Sequence, residues 1–325
     1  MYIMNAPRFI LWYHLYGNIF RFLAKKGWMM KMLTLKNVSC EADFEMMCNI
    51  ESHICKEGAA ASWQVHPGGL CYDRYLFGSG AMDVFEYGKL LYVQDALAGY
   101  LLAYREEGEF VLRLLPEYEA CLDEAVKLVV GCFDDQEECA VIANSAHSKY
   151  CEALVRQGFA KEAEERYQAV LALDSREFLE PGEGPEKIAP LCEKDFPQRI
   201  AHAAIPSDSQ VTEEMFSTYL ASPAYKTALE LVARDRHTDA FMGFATWWLD
   251  EPSKTALLEP VACLKEYRRQ GIARRLLIHG LRQLKAKGIR HAFVSTSADH
   301  MEAIPLYESL GFAKTGEANL YVKQK

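Results

Sequence analysis

Several patterns that would assign this 325-residue sequence to a specialised class are missing. It contains no run of eighteen uncharged apolar residues, which a membrane-spanning helix needs, so we expect no stable membrane insertion. Its 20 glycines and 12 prolines are too few for a collagen-like or low-complexity chain. There is no His-Glu-x-x-His and no other metal-ligand spacing, so we predict that no metal is bound.

Cysteine motifs and excess positive charge are missing as well. The 10 cysteines are scattered and none forms Cys-x-x-Cys. Because a chain of this length can build a core without disulfides, we expect reduced thiols and a cytoplasmic protein. The net charge of −9 argues against DNA as a partner, since general nucleic-acid affinity needs a basic face. An acidic body suits an amine ligand.

The N-terminal segment differs from the rest in charge. The first forty residues contain six lysines and arginines and no acid. The apolar residues 9–13 precede the basic residues 21–26, whereas a secretory signal has the opposite order. Two interpretations stay open: an amphipathic helix at a membrane surface, and sequence upstream of the true start. Because a strand pattern begins at Met32, we treat residues 1–31 as an extension outside the fold.

The remaining sequence contains two similar halves. Gly311-Phe312-Ala313-Lys314 repeats Gly158-Phe159-Ala160-Lys161 at an offset of 153 (311 − 158). Each half has helices, a three-stranded meander, and then helix, strand, helix and strand, which predicts an α/β protein with a mixed α+β sheet. A segment rich in proline, glycine and acids near residue 180 indicates a linker. We predict a first domain at 32–178, a linker at 179–187 and a second domain at 188–325.

The most informative segment is a basic turn in the second half. Residues 267–277 have the sequence YRRQGIARRLL, in which a turn leads into a helix with one apolar face. The free amides and the dipole at a helix start favour an anion, and Gly271 allows a phosphate to approach the backbone. A solvated basic helix is the alternative interpretation.

This turn resembles the signature of the GNAT-type N-acetyltransferases. Arg268-x-x-Gly271-x-Ala273 fits the motif (Gln/Arg)-x-x-Gly-x-(Gly/Ala), and residues 303–312 resemble the second block of that family. The resemblance implies two tandem GNAT-like domains, each a mostly antiparallel sheet flanked by helices, with acetyl-CoA as co-substrate. It implies that the cofactor is bound by Arg268, Arg269, Gln270, Gly271, Ile272, Ala273 and Arg274. We add His300, which stands where many members carry Asn.

Acyl transfer to an amine needs a base, a donor for the oxyanion and an acid for the leaving thiolate. Tyr307 occupies the position that the family uses to protonate the thiolate; a core aromatic is the alternative. Glu259 is the candidate base, and Pro260 beside it predicts a bulge; an exposed strand-end carboxylate is the alternative. The resemblance implies that the amides of Val261 and Ala262 bind the oxyanion, where neighbouring strands part.

The first half is predicted to have lost this site. At an offset of 149, the equivalents of Arg268, Gly271 and Ala273 are Glu119, Leu122 and Glu124. Two carboxylates there would repel a pyrophosphate. At an offset of 153, Leu154 stands in place of Tyr307. We therefore predict a degenerate copy that packs on the second half and helps to shape the acceptor pocket.

These features predict an enzyme that moves an acetyl group from acetyl-CoA to a primary amine of a small-molecule or amino-acid-like acceptor. Two alternatives stay open. One is a non-catalytic acyl-CoA sensor; the other is an acyltransferase with a different donor, such as aminoacyl-tRNA, which the acidic charge disfavours. No motif in the sequence identifies the acceptor or the oligomeric state.

Overall fold

A computed structural model describes residues 33–58, 65–77, 83–202 and 211–325. The predicted extension at 1–31 lies outside these residues. The strands are β1 (Leu33–Asn37), β2 (Gly88–Val93), β3 (Ala96–Tyr104), β4 (Glu109–Leu114), β5 (Glu138–Asn144), β6 (Ala160–Ala172), β7 (Glu186–Pro190), β8 (Leu229–Asp235), β9 (Phe241–Asp250), β10 (Thr255–Cys263), β11 (His291–Ser297), β12 (Ala313–Lys314) and β13 (Ala318–Gln324).

Helices flank these strands. In chain order the described α-helices are α1 (Glu41–Gly58), α2 (Pro67–Phe77), α3 (Val84–Tyr87), α4 (Leu122–Gly131), α5 (Ser148–Arg156), α6 (Phe196–Ala201), α7 (Glu213–Ala221), α8 (Ile272–Ala286) and α9 (Ala303–Leu310). Within the described ranges, none of the helices has both the length and the apolar content needed to cross a bilayer.

All of these strands belong to one continuous sheet. Its order is β1-β2-β3-β4-β5-β13-β6-β11-β10-β9-β8-β7, and β12 pairs with β6 outside this path. Two neighbouring pairs, β4 with β5 and β10 with β11, are parallel, and the other pairs are antiparallel. This arrangement confirms the predicted α/β class with a mixed, mostly antiparallel sheet flanked by helices.

The two halves exchange strands at the centre of the sheet. The last strand of the chain, β13, lies between β5 and β6 of the first half. In turn, β6 pairs with β11 of the second half, from Arg166 opposite Ser297 to Ala172 opposite His291. Backbone hydrogen bonds therefore join the halves along whole strands. The predicted linker at 179–187 follows β6, and its last two residues already belong to β7.

The sheet buries its two faces in separate cores. In the second half, Trp247 and Leu258 pack with α8 on one face, and Trp248 and Leu257 pack with α2 and α7 on the other. The adjacent tryptophans point to opposite faces because side chains alternate along a strand. Helix α2 comes from the first half, and a side chain at Gly68 would overlap Trp248. Glycine thus permits the close packing of α2 on the second half.

Candidate active site

The basic turn leaves the first amides of α8 facing outward. Gly271 is the N-cap residue, in the left-handed conformation with φ 78°, and Arg269 also has a positive φ of 62°. No side chain of the described residues caps this helix. The amides of Ile272, Ala273 and Arg274 have no acceptor within the helix, because an α-helix leaves its first N–H groups unpaired. Together with the helix dipole, they suit an anion such as a phosphate.

The side chains of two arginines beside these amides are held in place by hydrogen bonds. Arg274 Nη1 donates to Ser309 Oγ at 2.6 Å, which links α8 to α9. Arg268 Nε donates to the Cys263 carbonyl at 3.2 Å, and its Nη1 lies 3.6 Å from the Glu302 carboxylate. Arg268 is half exposed at 53%, so its guanidinium remains open to a ligand from solvent.

A third arginine stabilises the turn from behind. Arg275 makes two hydrogen bonds to the buried carboxylate of Glu186 and donates from Nη2 to the Gln270 carbonyl at 2.9 Å. A Cβ at Gly271 would lie 2.8 Å from Arg275 Nη1. A larger residue at 271 would therefore both strain the backbone and displace the arginine that orders the turn.

His300 lies just before α9. Its Nδ1 is 2.8 Å from Thr296 Oγ1, and its carbonyl accepts hydrogen bonds from the amides of Ala303 and Ile304. The side chain is exposed. His300 therefore helps to start α9, and its contact with a cofactor stays a prediction.

A gap opens between the two parallel strands beside the turn. The pairing of β10 with β11 ends at Leu258 opposite Val294, although β10 continues to Cys263 and β11 to Ser297. The register of β10 against β9 shifts between Leu258 and Val261, which confirms the predicted bulge at Pro260. The neighbouring strands part beyond this point, as the sequence analysis predicts.

The two amides predicted to bind an oxyanion point in different directions. The Leu264 amide donates to the Met242 carbonyl at 2.9 Å. In an antiparallel ladder, hydrogen-bonded residues alternate, so the Ala262 amide points to β9 and the Val261 amide points away from β9, into the gap. Of the two, Val261 is thus the free donor, and Ala262 is used by the sheet.

The bulge also fixes the backbone of Glu259. Trp248 Nε1 donates to the Glu259 carbonyl at 2.6 Å, and a Cβ at Gly69 of α2 would lie 3.9 Å from Glu259 Oε2. Burial raises the pKa of the Glu259 carboxyl, an effect opposed by Arg166. Burial and then the charge of Glu259 hold the pKa of Tyr307 above its usual range. The charge of one predicted catalytic side chain, Glu259, therefore acts on the other, Tyr307.

Two charged residues at this position escaped the sequence analysis, and both belong to the first half. Asp73 lies on α2, and burial and the charge of Glu259 raise its pKa, which Arg166 on β6 lowers. Asp73 is the only acid in α2 (PGGLCYDRYLF), a signal that sequence reasoning had available. Arg166 follows a run of acids that indicates only an exposed strand. Over the described residues, no group of three or more His, Cys, Asp or Glu is placed to hold a metal.

Comparison with known protein families gives a match for the second half of the chain. Residues 197–312 match the model of the Acetyltransferase (GNAT) family. These residues form a GNAT acetyltransferase domain. They contain the basic turn, the bulged strand β10 and helix α9, so the gap described above belongs to the GNAT domain.

Relatives resemble the chain over short stretches. The mycothiol acetyltransferase of Saccharopolyspora erythraea is 30% identical over 119 residues, which are 36% of this chain and 39% of that protein. The ribosomal protein bS18-alanine N-acetyltransferase of Escherichia coli is 40% identical over 57 residues, 18% of this chain and 38% of that protein. The chain thus spans about two fifths of the length of these curated relatives.

Solved structures resemble the chain over most of its length, and one of them has two domains in tandem. It is a tandem GNAT protein from the clavulanic acid biosynthesis pathway, with a TM-score of 0.57 and 11% identity, and the match covers 90% of this chain and 98% of that one. At this identity the likeness concerns the fold alone. It supports the predicted arrangement of two GNAT-like folds in tandem.

Proposed function

We propose that the protein is an N-acetyltransferase that moves an acetyl group from acetyl-CoA to a primary amine of a small acceptor. The observation that carries the proposal is the gap between β10 and β11. Glu259 lies in the bulge where this gap opens, and the uncapped start of α8 follows β10. The charge of Glu259 also acts on Tyr307. The GNAT match over residues 197–312 supports the same reaction class.

The donor is proposed to lie across the turn and into the gap. The pyrophosphate takes hydrogen bonds from the amides at the start of α8, where the helix dipole favours its charge. The candidate contacts are Arg268, Arg269, Gln270, Gly271, Ile272, Ala273, Arg274 and His300. The pantetheine arm follows β10, in place of the missing strand pairing, and brings the thioester carbonyl to the Val261 amide.

Direct attack by the amine then uses the two titratable groups at the gap. Glu259 takes a proton from the ammonium group, the free nitrogen bonds to the acetyl carbon, and the carbon–sulfur bond breaks. The Val261 amide stabilises the oxyanion. A second proton leaves the nitrogen while the thiolate gains one, so the reaction of an ammonium releases one proton overall. The raised pKa of Glu259 suits this role, because it brings the carboxylate closer to the pKa of an amine.

Tyr307 is proposed to assist the leaving thiolate. The burial of Tyr307 and the nearby charge of Glu259 raise its pKa, so the phenol is neutral at pH 7. A thiol has a pKa near 8.5, so complete transfer of the phenolic proton is uphill. We infer that Tyr307 acts chiefly by donating a hydrogen bond to the sulfur as negative charge develops there.

Calorimetry combined with a thiol-release assay tests this proposal. Wild-type protein is expected to bind one coenzyme A per chain and to release thiol with a primary amine. Glu259→Gln should retain coenzyme A binding but lower kcat/KM by about 100-fold or more. It should also abolish the fall in activity as the pH decreases through the raised pKa of Glu259.

The same measurements separate the alternatives. Absence of coenzyme A binding contradicts the proposal. Binding without thiol release across a broad amine panel favours the acyl-CoA sensor. If Glu259→Gln has unchanged turnover, Glu259 is not the base, although the proposed donor site still stands.

A further inference from the structure

We propose that the first half supplies Asp73 and Arg166 to the acceptor site of the GNAT domain. We further propose that these residues select an acceptor with both an ammonium group and a carboxylate, as in an amino acid. This inference rests on the proposed N-acetyltransferase activity and names its substrate class. Its carrying observation is the position of both residues on the face of the sheet from which Glu259 projects.

Glu259 and Arg166 project from one face of the sheet. Leu257 of β10 and Val170 of β6 pack in the same core, under α2 and α7. Arg166 is four residues before Val170 on a regular stretch of β6, so its side chain shares that face. Glu259 lies in the bulge of β10, and its carboxylate points to the same side, because a Cβ at Gly69 of α2 would lie 3.9 Å from Glu259 Oε2. On β6 the intervening Tyr167 packs instead with α8 and α9 on the opposite face.

Helix periodicity places Asp73 above this face. Gly69 and Asp73 are four residues apart on α2 and therefore lie on the same side of the helix. That side faces Glu259, because a Cβ at Gly69 would lie 3.9 Å from Glu259 Oε2. The lack of a side chain at Gly69 leaves room between Glu259 and the next turn of α2.

This site combines two acidic side chains, Asp73 and Glu259, with one basic side chain, Arg166. Glu259 and Asp73 are both partly buried, and the charge of Glu259 raises the pKa of Asp73. Two carboxylates whose charges interact favour a bound cation, such as the ammonium group that must react. Arg166 lies within electrostatic range of both, but its side chain makes no hydrogen bond or ion pair with another described residue. Arg166 is exposed, and a guanidinium suits a carboxylate, which it can bind through two parallel hydrogen bonds.

Matched substrates and variants of the full chain test this inference. The probe panel is a set of amino acids, each paired with its decarboxylated amine and its carboxamide, and the measured quantity is kcat/KM. Wild type should prefer the amino acids by about 10-fold or more. Arg166→Gln should lower kcat/KM for the amino acids by about 10- to 100-fold more than for the carboxylate-free amines. Asp73→Asn should raise KM for every amine.

Controls keep folding and donor binding apart from acceptor selection. Arg105→Gln and Asp135→Asn break an exposed ion pair of the first half and should leave the preference unchanged. Coenzyme A binding, measured by calorimetry, should be the same in wild type and in all four variants. Intact binding without a preference for amino acids overturns this inference alone. Equal loss for all acceptors in Arg166→Gln also overturns it, because a purely structural arginine would act in that way. Absence of coenzyme A binding in wild type contradicts the proposed function itself.

Discussion

Helices α5 and α9 end in the same way, one in each half of the molecule. The Phe159 amide donates to the Leu154 carbonyl and the Phe312 amide to the Tyr307 carbonyl, both at 3.1 Å. The glycine before each phenylalanine is left-handed, with φ 89° and 95°. The backbone at this helix end is thus retained, and at the position of Tyr307 the first half has the fully buried Leu154.

The starts of the preceding helices differ in backbone as well. In the first half a 3₁₀ turn (Pro116–Cys121) leads directly into α4, and the Leu122 amide donates to the Glu119 carbonyl. In the second half four residues, 268–271, separate the 3₁₀ turn (Lys265–Tyr267) from α8. This short loop contains the left-handed residues Arg269 and Gly271, after which the first amides of α8 are exposed. The first turn of α4 instead carries Asp123 and Glu124, which repel an anion.

The gap between parallel strands is present in both halves. In the first half β4 and β5 pair at one position, Glu109 opposite Ala140. The strand beyond carries Arg113, which corresponds to Ala262 at the offset of 149 (262 − 113) and forms a buried two-point ion pair with Glu51. A buried pair whose members satisfy each other leaves no free carboxylate for chemistry. A gap alone is therefore not sufficient for a site.

The glycine at the basic turn should decide whether the second half binds the donor. Gly271→Glu adds a side chain at φ 78°, which costs about 1–2 kcal/mol of backbone strain, and brings a carboxylate to the anion site. We expect coenzyme A binding to weaken by about 100-fold or more in calorimetry. Gly288→Glu is the matched control, because Gly288 has φ 77°, lies at the other end of α8 and has open space around it. If both variants bind coenzyme A equally well, the turn at Gly271 is not part of the donor site.

The contrast between Tyr307 of α9 and Leu154 of α5 is tested by removing one hydroxyl. Tyr307→Phe should lower kcat by about 100-fold and leave coenzyme A binding intact, because its ring still fills the core. Tyr150→Phe, in α5, removes a buried hydroxyl without a hydrogen-bond partner among the described residues and should retain wild-type activity. Steady-state kinetics compare kcat of the two variants. Similar values of kcat would mean that the hydroxyl of Tyr307 takes no part in the reaction.

The contact between the halves should make stability depend on pH. His66 accepts a hydrogen bond from the Gly68 amide, and its Nε2 lies 3.0 Å from Thr255 Oγ1 of the second half. Burial lowers the pKa of His66 from 6.5 to about 4. Between these values the unfolded chain binds the proton and the folded chain does not. The free energy of unfolding is therefore highest above pH 6.5 and falls as the pH decreases towards 4, by up to ~3 kcal/mol.

Urea unfolding at several pH values measures this effect. His66→Gln should flatten the dependence between pH 6.5 and 4, whereas the exposed His237→Gln should leave it unchanged. If wild type and His66→Gln lose stability with the same slope, other groups cause the acid sensitivity and His66 does not report on the contact between the halves.

Much of the local structure at the site was predictable from short stretches of sequence. The helix after Gly271, the bulge at Pro260 and the opposite faces of Trp247 and Trp248 follow from periodicity, from proline's missing donor and from strand alternation. The family match over residues 197–312 agrees with the motif that carries the resemblance. The roles of the individual site residues stay predictions until the variants above are measured.

The sequence by itself determined the elements, the two similar halves and the contrast between Gly271 and Leu122, because backbone geometry and apolar periodicity act over a few residues. Tertiary structure alone decided that the halves exchange β6 and β13, and that α2 lies against the strands of the GNAT domain. It also brought Asp73 and Arg166 to Glu259, although these residues lie about a hundred or more positions apart. Such long-range placements depend on which apolar faces are buried together, and no local pattern records that choice.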